Sequence, residues 1–474
     1  MFATVLTEAQ IERLHAASLC ILKRVGVLVP HPEMLCRLES AGARVDHAGQ
    51  RAYLGEELVM GALGQAGRQF TLYGRDLANT ARFGQGQRNY NTSAGQAMWV
   101  DRIGGPRRYA SLDDVAAATR AANSLDSINL VGAMADPQEV PVRVRCLEVL
   151  ATQLRNTTKP MHFWFHDRPS ARFAVEMLIA LRGDAERAAA YPLCYPLLEP
   201  ISPLRFPHHG IDLLFETSRL GLPVAVGPMA QMGLSAPATV AGTMAQENAE
   251  VLAGICLVQL VRPGVPVCYG GICHAFDMRT TQLIFAGPEQ AIFSVAMTQM
   301  GRHYGLPVYA NAGLTDAKCP DAQAGLEAGI TLVLAAAAGA DVFGHMGICG
   351  VDQAASLDLL MLQDEIIRYV ESTLRELDFS DDALGLDVLE ALGPGGTLID
   401  TPHTAAHFRK ELWMPGLLDR RFFQAWQDAG AQDTAERCRL RKEQCLLAAP
   451  PEPLPADLAA TLDEIVAAAR RELL

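Results

Sequence analysis

A (β/α)8 TIM barrel over residues 88–374 is the fold class that the sequence predicts. Strand-like and helix-like segments alternate eight times across this range, as the barrel requires. Leu-Pro or Val-Pro pairs at Leu222, Val265 and Leu306 directly precede strand-like segments, and proline is tolerated at the first residue of a strand. A doubly wound open sheet is the competing fold, but no G-x-G-x-x-G turn follows an early strand.

The predicted strands are short apolar runs bounded by glycine, proline or polar residues. They cover residues 89–94, 128–135, 161–165, 193–198, 224–229, 267–272, 308–312 and 342–346. The predicted helices cover residues 111–124, 142–155, 171–181, 211–220, 238–261, 289–304, 322–338 and 356–370. Ser111 is expected to cap the first of these helices, with Asp113 and Asp114 placed favourably at the positive end of its dipole.

Two further segments flank the predicted barrel. Residues 1–87 have apolar residues at helical spacing followed by shorter mixed segments, which predicts a largely helical N-terminal part that packs on the barrel. Residues 375–474 predict a C-terminal helical extension, with a Pro-rich turn before the last helix. Because this extension is rich in apolar residues, we expect the chain to form a homo-oligomer.

Composition limits the possible functions. Of 474 residues, 50% are hydrophobic and 20% are charged, which indicates a globular protein with a large core. The formal net charge of -13 argues against a nucleic-acid partner, which would require clustered Lys and Arg.

The sequence also predicts a cytoplasmic location. The first residues already carry Glu8, Glu12 and Arg13, unlike a secretory signal, and no uncharged apolar run is long enough to span a bilayer. The 11 cysteines form no C-x-x-C pair, which is typical of reduced thiols.

In a barrel, the residues at the C-terminal ends of the strands form the site. Aromatic side chains are frequent there, and aromatic faces bind a cation with about 2 kcal/mol or more when the site is desolvated. The strand ends therefore predict a cup for an apolar or quaternary-ammonium head group, unless these aromatic side chains only fill the barrel interior. The candidate substrate-binding residues at these ends are Phe165, Tyr195, Glu199, Gln231, Tyr269, His274, Tyr309 and Phe343.

The seventh strand end carries the densest group of polar residues. Asn311, Asp316 and Lys318 follow one another there and, with His345 of the eighth strand, are the candidate catalytic residues. Gln323 and Glu327 begin the next helix and are further candidates for binding substrate. The simpler alternatives are that Asp316 and Lys318 pair on the surface of a loop, and that Glu327 is a solvated helical residue.

Motifs for a protein nucleophile or a metal are weak. The sequence contains no G-x-S-x-G, H-E-x-x-H or Walker pattern. A zinc site from Cys268, Cys273, His274 and Cys319 is an alternative, but the spacing is unlike that of common zinc motifs. His403 and His407 lie at positions i and i+4 without a third ligand close in sequence. No metal site is predicted.

Several segments, taken in order, resemble one known family. They include VAGTMAQENAEVLAGICLVQLVRPGVPVCYGG (240–271), AGLTDAKCPDAQAGLE (312–327) and HTAAHFRKELWMPGLLDR (403–420). The chain is similar to the trimethylamine methyltransferase (MttB-like) family. The resemblance implies a TIM barrel that moves a methyl group from a methylated amine to the cobalt of a separate corrinoid protein. Gln231 stands where a smaller or apolar residue is expected, so the rim departs from the family pattern there.

Only standard residues are present, so the chain resembles the family's branch without pyrrolysine, whose members act on quaternary amines such as glycine betaine. Direct attack by Co(I) would need no protein nucleophile, and positioning can contribute about 7–11 kcal/mol. Asp316 and Lys318 would then bind the polar tail of the substrate or order the loop, while His345 and Asn311 orient the head group. The alternatives are a zinc-dependent corrinoid methyltransferase and a non-catalytic barrel that binds quaternary amines.

Overall fold

The computed structural model describes residues 3–474, which form a mixed α/β chain. The helices are α1 (Glu8–Arg24), α2 (Pro32–Ser40), α3 (Glu56–Gln65), α4 (Leu112–Asn123), α5 (Val142–Asn156), α6 (Arg168–Arg182), α7 (Ala185–Ala190), α8 (His208–Thr217), α9 (Val240–Val261), α10 (Pro288–His303), α11 (Ala322–Ala338), α12 (Leu357–Thr373), α13 (Asp381–Leu384), α14 (Leu386–Leu392), α15 (Pro402–Glu411), α16 (Phe423–Asp428), α17 (Thr434–Leu447) and α18 (Ala456–Leu473).

The strands are shorter than the helices. They are β1 (Val27–Leu28), β2 (Arg44–Asp46), β3 (Arg51–Tyr53), β4 (Phe70–Tyr73), β5 (Thr80–Phe83), β6 (Asn89–Thr92), β7 (Met98–Val100), β8 (Arg107–Tyr109), β9 (Val131–Gly132), β10 (Met161–His162), β11 (Leu197–Leu198), β12 (Val224–Val226), β13 (Gln231–Met232), β14 (Val267–Gly271), β15 (His274–Asp277), β16 (Gln282–Ile284), β17 (Val308–Ala310), β18 (Val342–Met346), β19 (Ile348–Cys349) and β20 (Ala354–Ala355).

A curled parallel sheet organises the fold. Its strand order is β11-β12-β14-β17-β18-β6, and β9 and β10 form a separate two-stranded parallel sheet. The smaller sheet is linked to β6, at one end of the larger sheet, by an isolated parallel bridge between Asn91 and Leu130. A 3.0 Å bond from the Met161 amide to the Leu193 carbonyl links it to the segment that leads into β11 at the other end. The predicted mixed α/β class is confirmed, and each of the eight predicted helices has a counterpart.

Side chains alternate between the two faces of this sheet, as the two-residue period of a strand requires. Tyr195, Cys268 and Tyr309 face inward and form a buried cluster under the curl. The β4–β5 hairpin closes the lower end of this cluster with Phe70 and Phe83, whose rings stack at 4.3 Å. The N-terminal part therefore supplies the floor of the interior as well as packing on the outside.

The helices cover the outer face of the sheet. Helix α9 is buried along most of its length, which explains why its sequence is apolar on all sides. The predicted cap of α4 is confirmed: Ser111 accepts a hydrogen bond from the Asp114 amide, and the Asp114 carboxylate accepts one from the Ser111 amide.

The C-terminal region contains two kinds of segment. Helix α18 packs on α5 and α6, where Arg155 pairs with Asp463 at 2.6 Å, and α17 buries Cys438 and Cys445. Helices α13 to α16 bury none of their own residues. Within residues 3–474, no helix combines the length and the apolar character needed to cross a membrane.

Candidate active site

The C-terminal ends of the curled sheet form a cup lined by tyrosine and histidine. The Tyr309 hydroxyl on β17 is hydrogen-bonded to Nε2 of His345 on β18. The His345 ring lies 5.0 Å from the His162 ring, which in turn lies 6.2 Å from the Tyr195 ring. Three buried polar atoms in this group have no hydrogen-bond partner among the described residues: Tyr195 Oη, His162 Nε2 and His345 Nδ1. Unpaired buried polar atoms are costly, so these three atoms are candidate contacts for a polar ligand.

The back of the cup depends on a close approach between Asn91 and Gly344. The Asn91 side-chain nitrogen lies 2.8 Å from Nδ1 of His162. A Cβ atom at residue 344 would lie only 1.6 Å from Asn91 Oδ1. Glycine at this position therefore leaves room for the amide that orients His162.

A second group forms the wall on the β14 and β17 side. Asn311 donates a hydrogen bond from Nδ2 to Nε2 of His274 at 2.9 Å, and the His274 ring stacks on Phe285 at 4.7 Å. Gln290 of α10 donates to the Asn311 carbonyl at 2.9 Å. These contacts fix both polar side chains before any ligand arrives.

The cup contains no fixed positive charge from its histidines. Burial lowers the pKa of His162 to about 4 and that of His274 to about 3. Burial also lowers the pKa of His345 well below its ordinary value, with repulsion from His162 and His274 as lesser causes. All three imidazoles are therefore neutral at physiological pH.

Two carboxylates complete the mouth of the cup. Glu199 directly follows β11, and Asp352 lies in the loop after β19, where Gln96 donates a hydrogen bond to it at 2.9 Å. Both side chains are exposed to water, although protein atoms surround much of each one. Desolvation, and then the charge of Asp352, raises the pKa of Glu199 to about 7; desolvation raises that of Asp352 to about 6.

Three predicted substrate-binding aromatics lie outside the cup. The Tyr269 hydroxyl donates to Asn248 of α9 at 2.8 Å. Phe343 stacks on Tyr90 at 5.1 Å within the helix-facing core, and Phe165 packs against Phe163 in the core beneath α5 and α6. Tyr269 and Phe343 each lie one residue from an inward side chain, Cys268 and Val342, so the alternation of the strand turns them to the outer face. Phe165 lies beyond the end of β10.

The predicted polar group after β17 orders its own loop instead of lining the cup. The Asp316 carboxylate accepts from the Phe285 amide at 2.8 Å, and Lys318 donates to the Asp316 carbonyl at 2.7 Å. Glu327 accepts from Thr315 at 2.7 Å and from Gln323 at 2.8 Å. Asp316 and Lys318 therefore order the loop, and Gln323 and Glu327 hold it to α11; the catalytic role of the first pair and the binding role of the second stay predictions. The expectation that Asp316 and Lys318 could order the loop agrees with these contacts.

Other predicted residues remain candidates. His345, Asn311, Tyr195, Glu199, His274 and Tyr309 all lie in the cup or its mouth. Gln231 lies in the rim strand β13, where its backbone amide donates to Ser235 Oγ at 3.0 Å.

The alternative zinc ligands do not converge. Cys268 is in the inward cluster and Cys273 in the helix-facing core, and Cys319 donates to Asp321 at 3.4 Å. Over residues 3–474, the groups of three metal-type side chains with mutually close ligand atoms are His31, His208, Asp212 and Asp382, His403, His407. The second group supplies the third ligand that the sequence around His403 does not reveal.

Sequence reasoning missed four residues of the cup: Asn91, His162, Gln96 and Asp352. In the segment HFWF (162–165), His162 and Trp164 alternate with the apolar residues Phe163 and Phe165. This alternation could have indicated that His162 faces the side of the strand opposite to the two phenylalanines. Asp352 gives no such signal, since it reaches the mouth through a loop whose path depends on the whole fold.

The fold and the cup together define a class of protein. A curled parallel sheet carries an uncharged, aromatic cup with two carboxylates at its mouth, and in residues 3–474 no serine or cysteine side chain is hydrogen-bonded to a histidine. Such a site suits an enzyme that binds a cationic ligand.

Comparison with known proteins places the chain in a family. A family model described as trimethylamine methyltransferase (MTTB) matches residues 2–473, so the chain belongs to this family and is a methyltransferase. It is 31% identical over 471 residues to a glycine betaine methyltransferase of Desulfitobacterium hafniense, covering 99% of this chain and 98% of the relative. It is 28% identical to the trimethylamine methyltransferase MttB of the same species, covering 97% and 92%.

The fold is shared with a solved structure of a more distant protein. The crystal structure of the Methanosarcina barkeri monomethylamine methyltransferase MtmB superposes with a TM-score of 0.51 at 9% identity, covering 98% of this chain and 95% of that one. At this identity the likeness concerns the fold alone.

Proposed function

We propose that the chain transfers a methyl group from a quaternary or tertiary methylated amine, such as a betaine, to the Co(I) of a separate corrinoid protein. The observation that carries the proposal is the chemistry of the cup, which can hold a methylated cation but offers no activated nucleophile. Its inward thiol, Cys268, has its pKa raised well above the ordinary value by burial and by the charge of Asp341, so it stays protonated.

The residues of the cup fit a reaction in which the chain holds the methyl donor and a separate protein supplies the acceptor. Bound to its own protein, the corrinoid would supply the nucleophile that accepts the methyl group. Tyr195 and Tyr309 present ring surface to the methylated head, and the neutral imidazoles of His162 and His345 present nitrogen atoms without charge. A quaternary ammonium departs as a neutral amine, so the chain need not donate a proton. It positions and desolvates the substrate, which can contribute about 7–11 kcal/mol.

The proposal includes the architecture around the cup. The bridge at Asn91 and the Met161 to Leu193 bond support closure of the two parallel sheets into one (β/α)8 barrel over residues 88–374. Residues 1–87 and 375–474 would be its N-terminal and C-terminal additions. The cysteines are all unpaired within the described chain, which supports a cytoplasmic setting. The open mouth is where the corrinoid protein would dock.

Anaerobic assays test the proposal. The protein is mixed with a reduced Co(I) corrinoid protein and a panel that includes trimethylamine, glycine betaine and choline, and methyl-Co(III) formation is followed by absorbance. At least one methylated amine should be demethylated. Absence of methyl transfer with every amine and with several corrinoid proteins would refute the proposed activity.

A further inference from the structure

The two carboxylates at the mouth of the cup have no cationic partner. Glu199 forms no hydrogen bond or ion pair within residues 3–474, and Asp352 is bonded only to the neutral amide of Gln96. Two other rim acids are neutralised: Asp136 pairs with Arg145 at 2.7 Å and Asp277 with Arg279 at 3.1 Å. Glu199 and Asp352 therefore differ from their neighbours in lacking a counter-charge.

The groups that face this pair supply no positive charge either. Tyr309 is close enough for the charge of Glu199 to raise its pKa, and its hydroxyl is bonded to the neutral His345. Two cations lie near the Asp352 loop, but within residues 3–474 neither forms an ion pair with Glu199 or Asp352. Arg107 donates to Gln353 at 2.6 Å, and Lys318 donates to the Asp316 carbonyl.

Buried polar atoms of the cup that lack a hydrogen-bond partner are a second sign of a ligand site. Tyr195 Oη, fully buried, has no partner, and neither does His162 Nε2. A ligand in the cup would contact these atoms below and the two carboxylates above. A cation placed between them would provide the missing counter-charge, since opposite charges favour the ionised form of a carboxyl group.

We propose that Glu199 and Asp352 form a cation-recognition pair, which makes the cup selective for cationic methylated amines without a carboxylate over zwitterionic betaines. This inference rests on the proposed function and narrows its substrate class. The carboxylate of a betaine would approach two acids that no cation neutralises. Its binding would therefore cost either the repulsion between negative charges or the energy of keeping one of the acids protonated. A choline-like or simple alkylammonium substrate has neither cost.

Binding to the full-length protein without any corrinoid tests this inference directly. Isothermal titration calorimetry would compare choline, glycine betaine and 3,3-dimethylbutan-1-ol, the uncharged isostere of choline. Choline should bind at least about tenfold more tightly than the other two, the factor that corresponds to one pKa unit of charge interaction. Tighter binding of glycine betaine, equal binding of the uncharged alcohol, or no binding of any cationic amine would overturn the inference.

Variants assign the effect to the pair. Glu199→Gln and Asp352→Asn keep the shape of each side chain, and each should weaken choline about tenfold while changing the binding of the uncharged alcohol little. Asp277→Asn is the matched control, since that acid already has an arginine partner, and it should bind choline like the parent. Thermal unfolding of each variant checks that the fold is retained. Equal loss of choline and alcohol binding would assign the pair a structural role and reject the inference.

The pH dependence gives a second readout. The pKa values of Glu199 and Asp352 are raised in the free protein, so both are partly protonated near pH 6 and a bound cation must displace those protons. Choline affinity should rise with pH from about 5.5 to 8 and then level off, and Glu199→Gln should flatten the rise. A flat profile for the parent would contradict the proposal.

The inference and the proposed function fail separately. If choline binding depends on Glu199 and Asp352 but no methylated amine methylates cobalt, the recognition site is supported and the proposed activity is refuted. If cobalt is methylated most efficiently from a betaine, the activity stands and the cationic preference falls.

Discussion

Replacing Gly344 by alanine tests whether the back of the cup depends on the close approach to Asn91. The new methyl group would lie 1.6 Å from Asn91 Oδ1 and 2.4 Å from its Cγ, so the amide must move away. Overpacking costs about 1–3 kcal/mol, and the lost bond between Asn91 and His162 adds about 0.5–1.5 kcal/mol. Gly344→Ala should therefore destabilise the protein by about 2–4 kcal/mol and reduce methyl transfer.

A double-mutant cycle separates the clash from other effects. Asn91→Ala removes the obstructing amide, so adding it to Gly344→Ala should cost less than the sum of the two single changes, by about 1–2 kcal/mol. The control is Gly329→Ala in α11, where a Cβ meets nothing within 4 Å. That change should be neutral or stabilise the helix by up to about 1 kcal/mol.

Urea unfolding and methyl-Co(III) formation would be measured for all four variants. The reasoning is refuted if Gly344→Ala unfolds like the parent, or if the two single changes add without interaction. A destabilised Gly329→Ala would show that the difference reflects glycine content and not the contact.

Three further predictions concern other parts of the molecule. Tyr309→Phe leaves Nε2 of His345 unpaired and should lower kcat/KM for methyl transfer about 10- to 100-fold; an unchanged value would exclude a positioning role. Lys159 donates to the carbonyls of Leu125 and Ile128, both at 2.7 Å. Lys159→Met should therefore lower the free energy of unfolding in urea by about 1.5–3 kcal/mol. Unaltered stability would show that these two hydrogen bonds do not stabilise the fold. Phe422 is 91% exposed, and Phe422→Ser should shift a homo-oligomer toward monomer in multi-angle light scattering, whereas a monomeric parent would refute self-association through this segment.

The sequence predicts the order of elements better than the length of the strands. Proline before a strand and caps such as Ser111 act locally, and both are visible in one sequence. Within the predicted strand at 128–135, only Val131–Gly132 form a strand, which is β9. Its later residues instead bond to the loop after β6, where Met134 donates from its amide to the Ser93 carbonyl at 2.8 Å. Such a bond joins distant parts of the chain, so no local pattern predicts it.

The direction of a side chain is harder to predict than the presence of its strand. Cys268 and Tyr269 are neighbours on β14, both fully buried, yet one faces inward and the other faces α9. Parallel strands covered on both faces are apolar throughout. The sequence therefore does not show which alternate residues of a strand face the interior of the curled sheet and which face the helices. This is why Tyr269 and Phe343 face the helices while Tyr195 and Tyr309 face the interior.

Polar residues in a loop do not by themselves distinguish a binding or catalytic group from one that orders the loop. Asp316 has its polar partners close by in the chain and in the neighbouring loop, which is how acids commonly stabilise turns. Asp352 has only the amide of Gln96, and nothing near it in sequence distinguishes it. A carboxylate of this kind is distinguished by its missing partner, which only the structure can reveal.

The charges of the cup then connect structure to reaction class. Neutral histidines remove the positive charge that would repel an ammonium group, and unpaired carboxylates at the mouth add the negative charge that attracts one. The inward thiol of Cys268 has its pKa raised well above the ordinary value by burial, so it stays protonated. An enzyme with this distribution of charge can lower the barrier by holding the methyl donor and excluding water. Under the proposed function, the mouth of the cup and the carboxylates beside it would serve one step, because the substrate would be held where an external acceptor could reach it.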